Sequence, residues 1–165
     1  MMNRTADQRA REQPPPLLAD AMLGKLARWL RLLGYDTVYL HAELADDALL
    51  AHRARAEGRV LLTRDHELAR RRGLETLLIH AQALDEQLTQ VIQALGLPPD
   101  GAQPRCMACN APLEELTPED AAPHVPPYVA QTQTEFRRCP ACSNITWPGT
   151  HWDNIQARLR SILDF

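Results

Sequence analysis

Apolar residues along the first hundred positions alternate between short runs and helical spacing. The runs predict four strands, and the last residue of each precedes a polar stretch; they cover Leu17–Ala19, Tyr35–Leu40, Arg59–Thr63 and Glu75–Ile79. Apolar residues three or four positions apart predict four helices, which begin close to Ala21, Asp47, Asp65 and Asp85. Strands that alternate with helices indicate an α/β fold, in which a parallel sheet is flanked by helices.

The rest of the chain divides into three further segments. Residues 1–16 are polar and charged and end in three prolines, which is typical of a disordered arm. Residues 104–150 have few regular apolar patterns, and residues 151–165 return to helical spacing. We therefore expect the arm, an α/β domain over 17–97, a cysteine-bearing region over 104–150 and a C-terminal helix.

Composition narrows the class of protein. The 165 residues are 45% hydrophobic and 24% charged, with a net charge of −3. A membrane span needs about 20 apolar residues in succession, and the sequence has no such run and no apolar secretory signal. We expect a cytoplasmic protein that binds no membrane.

Every basic residue except Lys25 is arginine, which suits phosphate recognition but can equally reflect genome composition. Because the total charge is acidic, any nucleic-acid contact must be a local patch.

The four cysteines form two C-x-x-C pairs, Cys106 with Cys109 and Cys139 with Cys142. Four thiolates in this arrangement bind a tetrahedral zinc ion and leave no open position, which predicts a structural zinc ribbon rather than a catalytic zinc. A redox pair is the alternative, but it would need a helix start directly after a strand.

The residues around the two pairs fit this interpretation. Asn110 and Ser143 follow the pairs and suit the left-handed turn of a zinc knuckle. The pairs are separated by 29 residues, more than the usual spacing of about 15–20, and added loop length costs little. Within this insertion we expect an extended segment over His124–Val129.

Acidic residues stand where the predicted strands end. Asp20 follows the first strand, Asp46 and Asp47 precede the second helix, and Asp65 follows the third strand. The carboxyl ends of parallel strands meet at one edge of a sheet. Carboxylates gathered there need a shared cation, and their hard oxygen atoms suit Mg²⁺ or Mn²⁺. The alternative is that each aspartate is a helix N-cap, and one residue can do both.

Basic residues accompany these aspartates. Lys25, Arg28 and Arg31 are expected on the polar side of the first helix, and Arg64 directly precedes Asp65. Beside a metal site, Lys25, Arg28 and Arg64 would contact a nucleic-acid backbone. The alternative is an ordinary solvated helix surface.

Several segments together resemble the Mut-seven C-terminal ribonuclease family, over about residues 17–153. The resemblance is carried by five motifs besides the two cysteine pairs; these are Leu18 to Asp36 (LADAMLGKLARWLRLLGYD), Asp46 to Leu50 (DDALL), Gly58 to Asp65 (GRVLLTRD), Val125 to Tyr128 (VPPY) and Gly149 to Trp152 (GTHW). It implies a PIN-like domain followed by a zinc ribbon, which uses Mg²⁺ or Mn²⁺ to hydrolyse RNA and leaves a 5′-phosphate.

The same resemblance implies roles for individual residues. Asp20, Asp46 and Asp65 match the acidic motifs of the family, with Asp47 as an alternative beside Asp46, and the cysteines match its zinc ligands. PIN domains often have a fourth acid near the end of a later strand. Here the fourth strand ends in Ile79-His80, and Asp85 and Glu86 follow as helix caps, which leaves open whether Asp85 is a fourth ligand or the ligand is absent.

The expected partner is RNA. A homo-oligomer and a protein partner bound through the zinc ribbon are left open. The alternative function is a non-catalytic RNA- or ribosome-binding zinc-ribbon module, in which the aspartates serve only as helix caps.

Overall fold

A computed structural model describes residues 14–41, 43, 46–97 and 103–163. The first part of the chain alternates strands and helices in the order β1 (Leu17–Ala19), α1 (Gly24–Leu32), β2 (Thr37–Tyr39), α2 (Asp47–Glu57), β3 (Val60–Thr63), α3 (His66–Ala69), β4 (Thr76–Leu78) and α4 (Leu84–Leu95). The predicted alternation is confirmed. The strands β2, β3 and β4 are shorter than predicted by one to three residues, and a 3-10 turn over Ala21–Leu23 precedes α1.

The four strands form one parallel sheet in the order β2-β1-β3-β4. From β1 the chain passes to β2 on one side, and then crosses to β3 on the other side of β1. The carboxyl ends of β1 and β3 therefore flank the point where the strand order reverses, which is where α/β sheets usually bind ligands.

Apolar side chains alternate between the two faces of the sheet and build a core on each. One face carries Leu17, Ala19 and Leu62, which pack with buried residues of α1 and α4. The other carries Leu18 and Leu61, which pack with buried residues of α2 and α3. Burial on both faces explains why β1 and the first three residues of β3 are apolar.

The C-terminal part contains a second, antiparallel sheet and four helical segments. They are β5 (Glu114–Leu116), α5 (Pro118–Ala121), a 3-10 turn (Ala122–His124), α6 (Pro127–Thr132), β6 (Phe136–Arg138), β7 (Ile145–Thr146) and α7 (Thr150–Leu163). The prediction of an extended segment over His124–Val129 is wrong, since two prolines at the start of α6 suit its first turn. Helix α7 packs against the core formed by β1, α1 and α4, in which Leu159 is buried.

Three further predictions concern the N-terminal arm, the domain boundaries and Arg31. Residues 1–13 of the predicted arm lie outside the described residues, while the Pro16 carbonyl accepts a hydrogen bond from the Val60 N–H at 2.9 Å. The division at 17–97 and 104–150 stays a prediction. Arg31 was expected on the polar side of α1, and this is wrong: its side chain lies at the buried end of the helix, with 6% of the residue exposed.

Helices in the described part of the chain are all too short or too polar to cross a bilayer. The cytoplasmic location and the oligomeric state stay predictions.

Substitution of Leu159 tests whether α7 is an integral part of the core formed by β1, α1 and α4. We expect Leu159→Ala to lower the free energy of unfolding by about 2–5 kcal/mol, because it leaves a cavity in a packed core. The control is Leu49→Ala on α2, where 42% of the leucine is already exposed. Urea unfolding of both variants measures the difference, and equal losses would contradict the packing of α7 against this core.

Candidate functional site

Asp20 follows β1 at the carboxyl edge of the sheet, beside the end of β3. Its backbone N–H donates to the Leu62 carbonyl oxygen at 3.0 Å, and its Oδ2 accepts a hydrogen bond from the Thr63 hydroxyl at 2.9 Å. Although Asp20 precedes the 3-10 turn, its side chain makes no capping hydrogen bond. The neighbouring strand therefore holds this carboxylate, and the capping alternative is wrong for Asp20.

Asp65 is connected to Asp20 through Thr63. The buried Thr63 hydroxyl, which donates to Asp20, also accepts a hydrogen bond from the Asp65 N–H at 3.0 Å. The Asp65 Oδ1 caps α3, accepting from the N–H groups of Leu68 at 3.1 Å and Glu67 at 2.7 Å. These bonds hold the pKa of the Asp65 carboxyl below its ordinary value. Because the folded-state pKa is lowered, the capping interaction is present at neutral pH and is lost as the pH falls through that pKa.

Asp46 and Asp47 lie at the start of α2. The Asp46 Oδ1 accepts from the Leu49 N–H at 2.7 Å, so this residue is the predicted N-cap. Asp47 forms an exposed ion pair with Arg71, with 3.5 Å between Oδ2 and the guanidinium. Neither residue is hydrogen-bonded to Asp20 or Asp65 in the described structure.

Among the described residues, one carboxylate oxygen atom of each of the three aspartates stays outside these hydrogen bonds. Asp20 uses Oδ2, and Asp46 and Asp65 use Oδ1, in the hydrogen bonds above. Among the described residues, their oxygen atoms do not form a group of three within ligand distance of one another. The described structure therefore does not bring the three carboxylates together as one ligand group, although a Mg²⁺ site needs only one or two carboxylates because the ion keeps several waters.

The predicted phosphate-binding residues lie at or near the surface. Lys25 and Arg28 are exposed on α1, and Arg64 is half-buried directly after β3. At the same edge, the exposed His80 after β4 lies near His66, with their ring centroids 6.3 Å apart. His80 occupies the end of the fourth strand, where no carboxylate is present.

The four cysteine sulfur atoms meet in one cluster, and all lie within 4.8 Å of one another. Sγ of Cys109 is 3.2 Å from that of Cys139, and Sγ of Cys106 is 3.6 Å from that of Cys142. In tetrahedral zinc sites with bonds of ~2.3 Å the sulfur atoms are about 3.8 Å apart. The cluster can therefore hold a zinc ion.

The turns after each cysteine pair confirm the predicted knuckle geometry. Asn110 and Ser143 have left-handed backbones, with φ of 66° and 62°. Burial acts to raise the pKa of Cys139, but hydrogen bonds from the Cys142 N–H and the Cys109 thiol outweigh it and lower that pKa to about 7. Crowded thiolates repel one another, and a bound cation removes that cost.

Comparison with known protein families identifies the family of this chain. The family model described as the Mut7-C RNAse domain matches residues 15–159, which is nearly the whole chain. The chain belongs to this family. The resemblance seen in the sequence is thereby confirmed for the Mut7-C RNAse domain. No curated protein and no solved structure matches the chain.

Two site residues of this Mut7-C chain were missed in the sequence. Thr63 lies in the quoted GRVLLTRD motif, but only the pairing of β1 with β3 shows that its hydroxyl connects two aspartates. Tyr39, at the end of β2, donates from its hydroxyl to the Ala21 carbonyl at 3.0 Å. Gly24 allows this approach, because a Cβ there would lie 3.1 Å from the Tyr39 ring.

Thr63 provides a test of how the two aspartates are held. We expect Thr63→Val to lower the free energy of unfolding by about 1–3 kcal/mol, because the Asp20 oxygen and the Asp65 N–H both lose their partner. Thr63→Ser keeps the hydroxyl and is the matched control. Hydrogen exchange of the Asp65 amide should accelerate in the valine variant alone; equal exchange in both variants would contradict the bridging role.

Proposed function

We propose that the chain is a metal-dependent ribonuclease whose active site is the carboxyl edge between β1 and β3. The observation that carries this proposal is the connection of Asp20 to Asp65 through Thr63, at the reversal of strand order, in a chain of the Mut7-C RNAse domain family. Asp20 is central, because it is half-buried and its side chain caps no helix.

Asp20, Asp46 and Asp65 would hold Mg²⁺ or Mn²⁺ through their carboxylate oxygen atoms, with Asp47 as the alternative beside Asp46. When bound, a divalent cation supplies Lewis acidity, which lowers the pKa of a water molecule and stabilises a leaving oxygen atom. Carboxylate oxygen atoms are the ligands that suit both ions.

The side chains around the aspartates would orient the carboxylates and bind the RNA. Thr63 orients the Asp20 carboxylate, and the first N–H groups of α3 orient Asp65. Lys25, Arg28 and Arg64 would contact phosphates of the RNA and position one phosphodiester at the edge of the sheet. Attack of water on phosphorus breaks the bond to the 3′ oxygen, which takes up a proton, and leaves a 5′-phosphate and a 3′-hydroxyl.

The zinc ribbon has a structural part in this proposal. Cys106, Cys109, Cys139 and Cys142 supply four sulfur ligands, and a site closed in this way has no position for substrate or water. The ribbon would then support the fold and aid the binding of RNA or a partner.

A second function is favoured by one observation. Asp46 and Asp65 both cap helices, so part of the acidic pattern has a structural role without any metal. The chain would then bind RNA or the ribosome through the ribbon and the arginines and would not cleave it.

The substitution Asp20→Asn separates the two functions. We expect the wild-type chain to cleave single-stranded RNA with Mn²⁺, and Asp20→Asn to be slower by about 100-fold or more, comparable to losing one preorganised group that stabilises charge. Glu114→Gln, an exposed change on β5, is the control and should cleave normally. Product ends should carry 5′-phosphates in gel analysis.

Two outcomes would count against the ribonuclease proposal. Equal cleavage by wild type and Asp20→Asn would exclude this edge as the active site. Tight RNA binding by wild type, with no cleavage in Mg²⁺ or Mn²⁺, would support the binding module instead.

A further inference from the structure

Arg31 is a buried charged residue that the proposed reaction does not use. It lies in the last turn of α1, and only 6% of the residue is exposed. Its Nε donates to the Thr37 carbonyl oxygen at 2.8 Å, at the first residue of β2. A buried guanidinium is costly unless its donors and its charge are satisfied, so the partners of Arg31 matter for stability.

The other partners of Arg31 belong to the first zinc knuckle. Its Nη1 donates to the carbonyl oxygens of Met107 at 2.8 Å and Ala108 at 3.3 Å. These two residues are the ones that separate Cys106 from Cys109 in the sequence. One side chain thus connects the end of α1, the start of β2 and the turn that presents two zinc ligands.

Asn110 makes a second connection from the same knuckle. Its Oδ1 accepts the Thr37 N–H at 3.0 Å, and its Nδ2 donates to Asp36 Oδ1 at 2.7 Å. Thr37 is fully buried and lies on the outermost strand of the sheet. Without the knuckle its N–H would lose this partner, and an unpaired buried N–H is rare and costly.

Charge adds to these contacts. A zinc ion held by four thiolates leaves the site with net negative charge. The guanidinium of Arg31 lies within electrostatic range of Cys106 and Cys109. The buried cation and the loaded zinc site therefore stabilise each other, and each loses a counter-charge when the other is removed.

We propose that Arg31 and Asn110 are positioning residues that link zinc binding to the stability of the parallel sheet at its amino edge. The proposal rests on the zinc binding proposed above, and it is independent of the ribonuclease activity. Zinc binding and the contacts of Arg31 and Asn110 are thermodynamically linked. These residues therefore raise the zinc affinity by the same factor by which bound zinc favours the state in which the knuckle contacts the sheet.

The test measures zinc affinity and hydrogen exchange on the full chain. Arg31→Met removes the guanidinium and keeps an apolar stem, and Asn110→Gly removes the amide and tolerates the left-handed backbone. We expect each variant to bind zinc about 10–100-fold more weakly in competition with a chromophoric chelator. Arg70→Met, a change at an exposed arginine after α3, is the control and should match the wild type.

A measurement on the wild type keeps the test decisive even where a variant fails to fold. Removal of zinc with a chelator should accelerate exchange of the Thr37 amide by about tenfold or more, since its acceptor Asn110 is released. Zinc affinities within about twofold of wild type in both variants, or a Thr37 amide that exchanges equally with and without zinc, would overturn the proposal. A wild-type chain that binds no zinc would overturn the zinc site itself, which is a separate and recognisable result.

Discussion

Strand β1 pairs with β3 in parallel, and the partners Leu18 and Leu61 are both fully buried. This pairing places Asp20 directly beside the end of β3, although 43 residues separate it from Thr63 in sequence. A slip by one residue would move every side chain of β1 to the opposite face and would break the hydrogen bond between Thr63 and Asp20. The hydrogen bond from the Thr63 hydroxyl to Asp20, and with it the connection to Asp65, depends on this register.

The aspartates and the first cysteine knuckle lie at opposite ends of the strands of the same sheet. The aspartates follow the ends of the strands, whereas the first cysteine knuckle contacts Asp36 and Thr37 where β2 begins. Strands of three or four residues, at about 3.3 Å per residue, separate these two ends by about 10 Å. The aspartates proposed to bind Mg²⁺ or Mn²⁺ and the cysteines proposed to bind zinc are therefore separated by the length of the strands.

Much of the fold could be predicted because local patterns determine it. Apolar runs marked the buried strands, Asp46 and Asp65 marked helix starts, and Asn110 marked a left-handed turn. The rest depends on contacts distant in sequence. Arg31 has the spacing of a surface arginine, and only the docking of the knuckle explains its burial. Thr63 could not be recognised for the same reason, since its role arises from the pairing of β1 with β3.

The central claim is that the edge formed by Asp20 and Asp65 binds a divalent cation. Titration of the zinc-loaded chain with Mn²⁺, followed by NMR, tests this directly, because Mn²⁺ broadens the resonances of nearby amides. We expect the amides of Ala21 and Arg64, which adjoin the two aspartates, to broaden at lower Mn²⁺ concentrations than the amide of Asn110 in the knuckle. Broadening that spares Ala21 and Arg64, or that affects Asn110 equally, would contradict the claim.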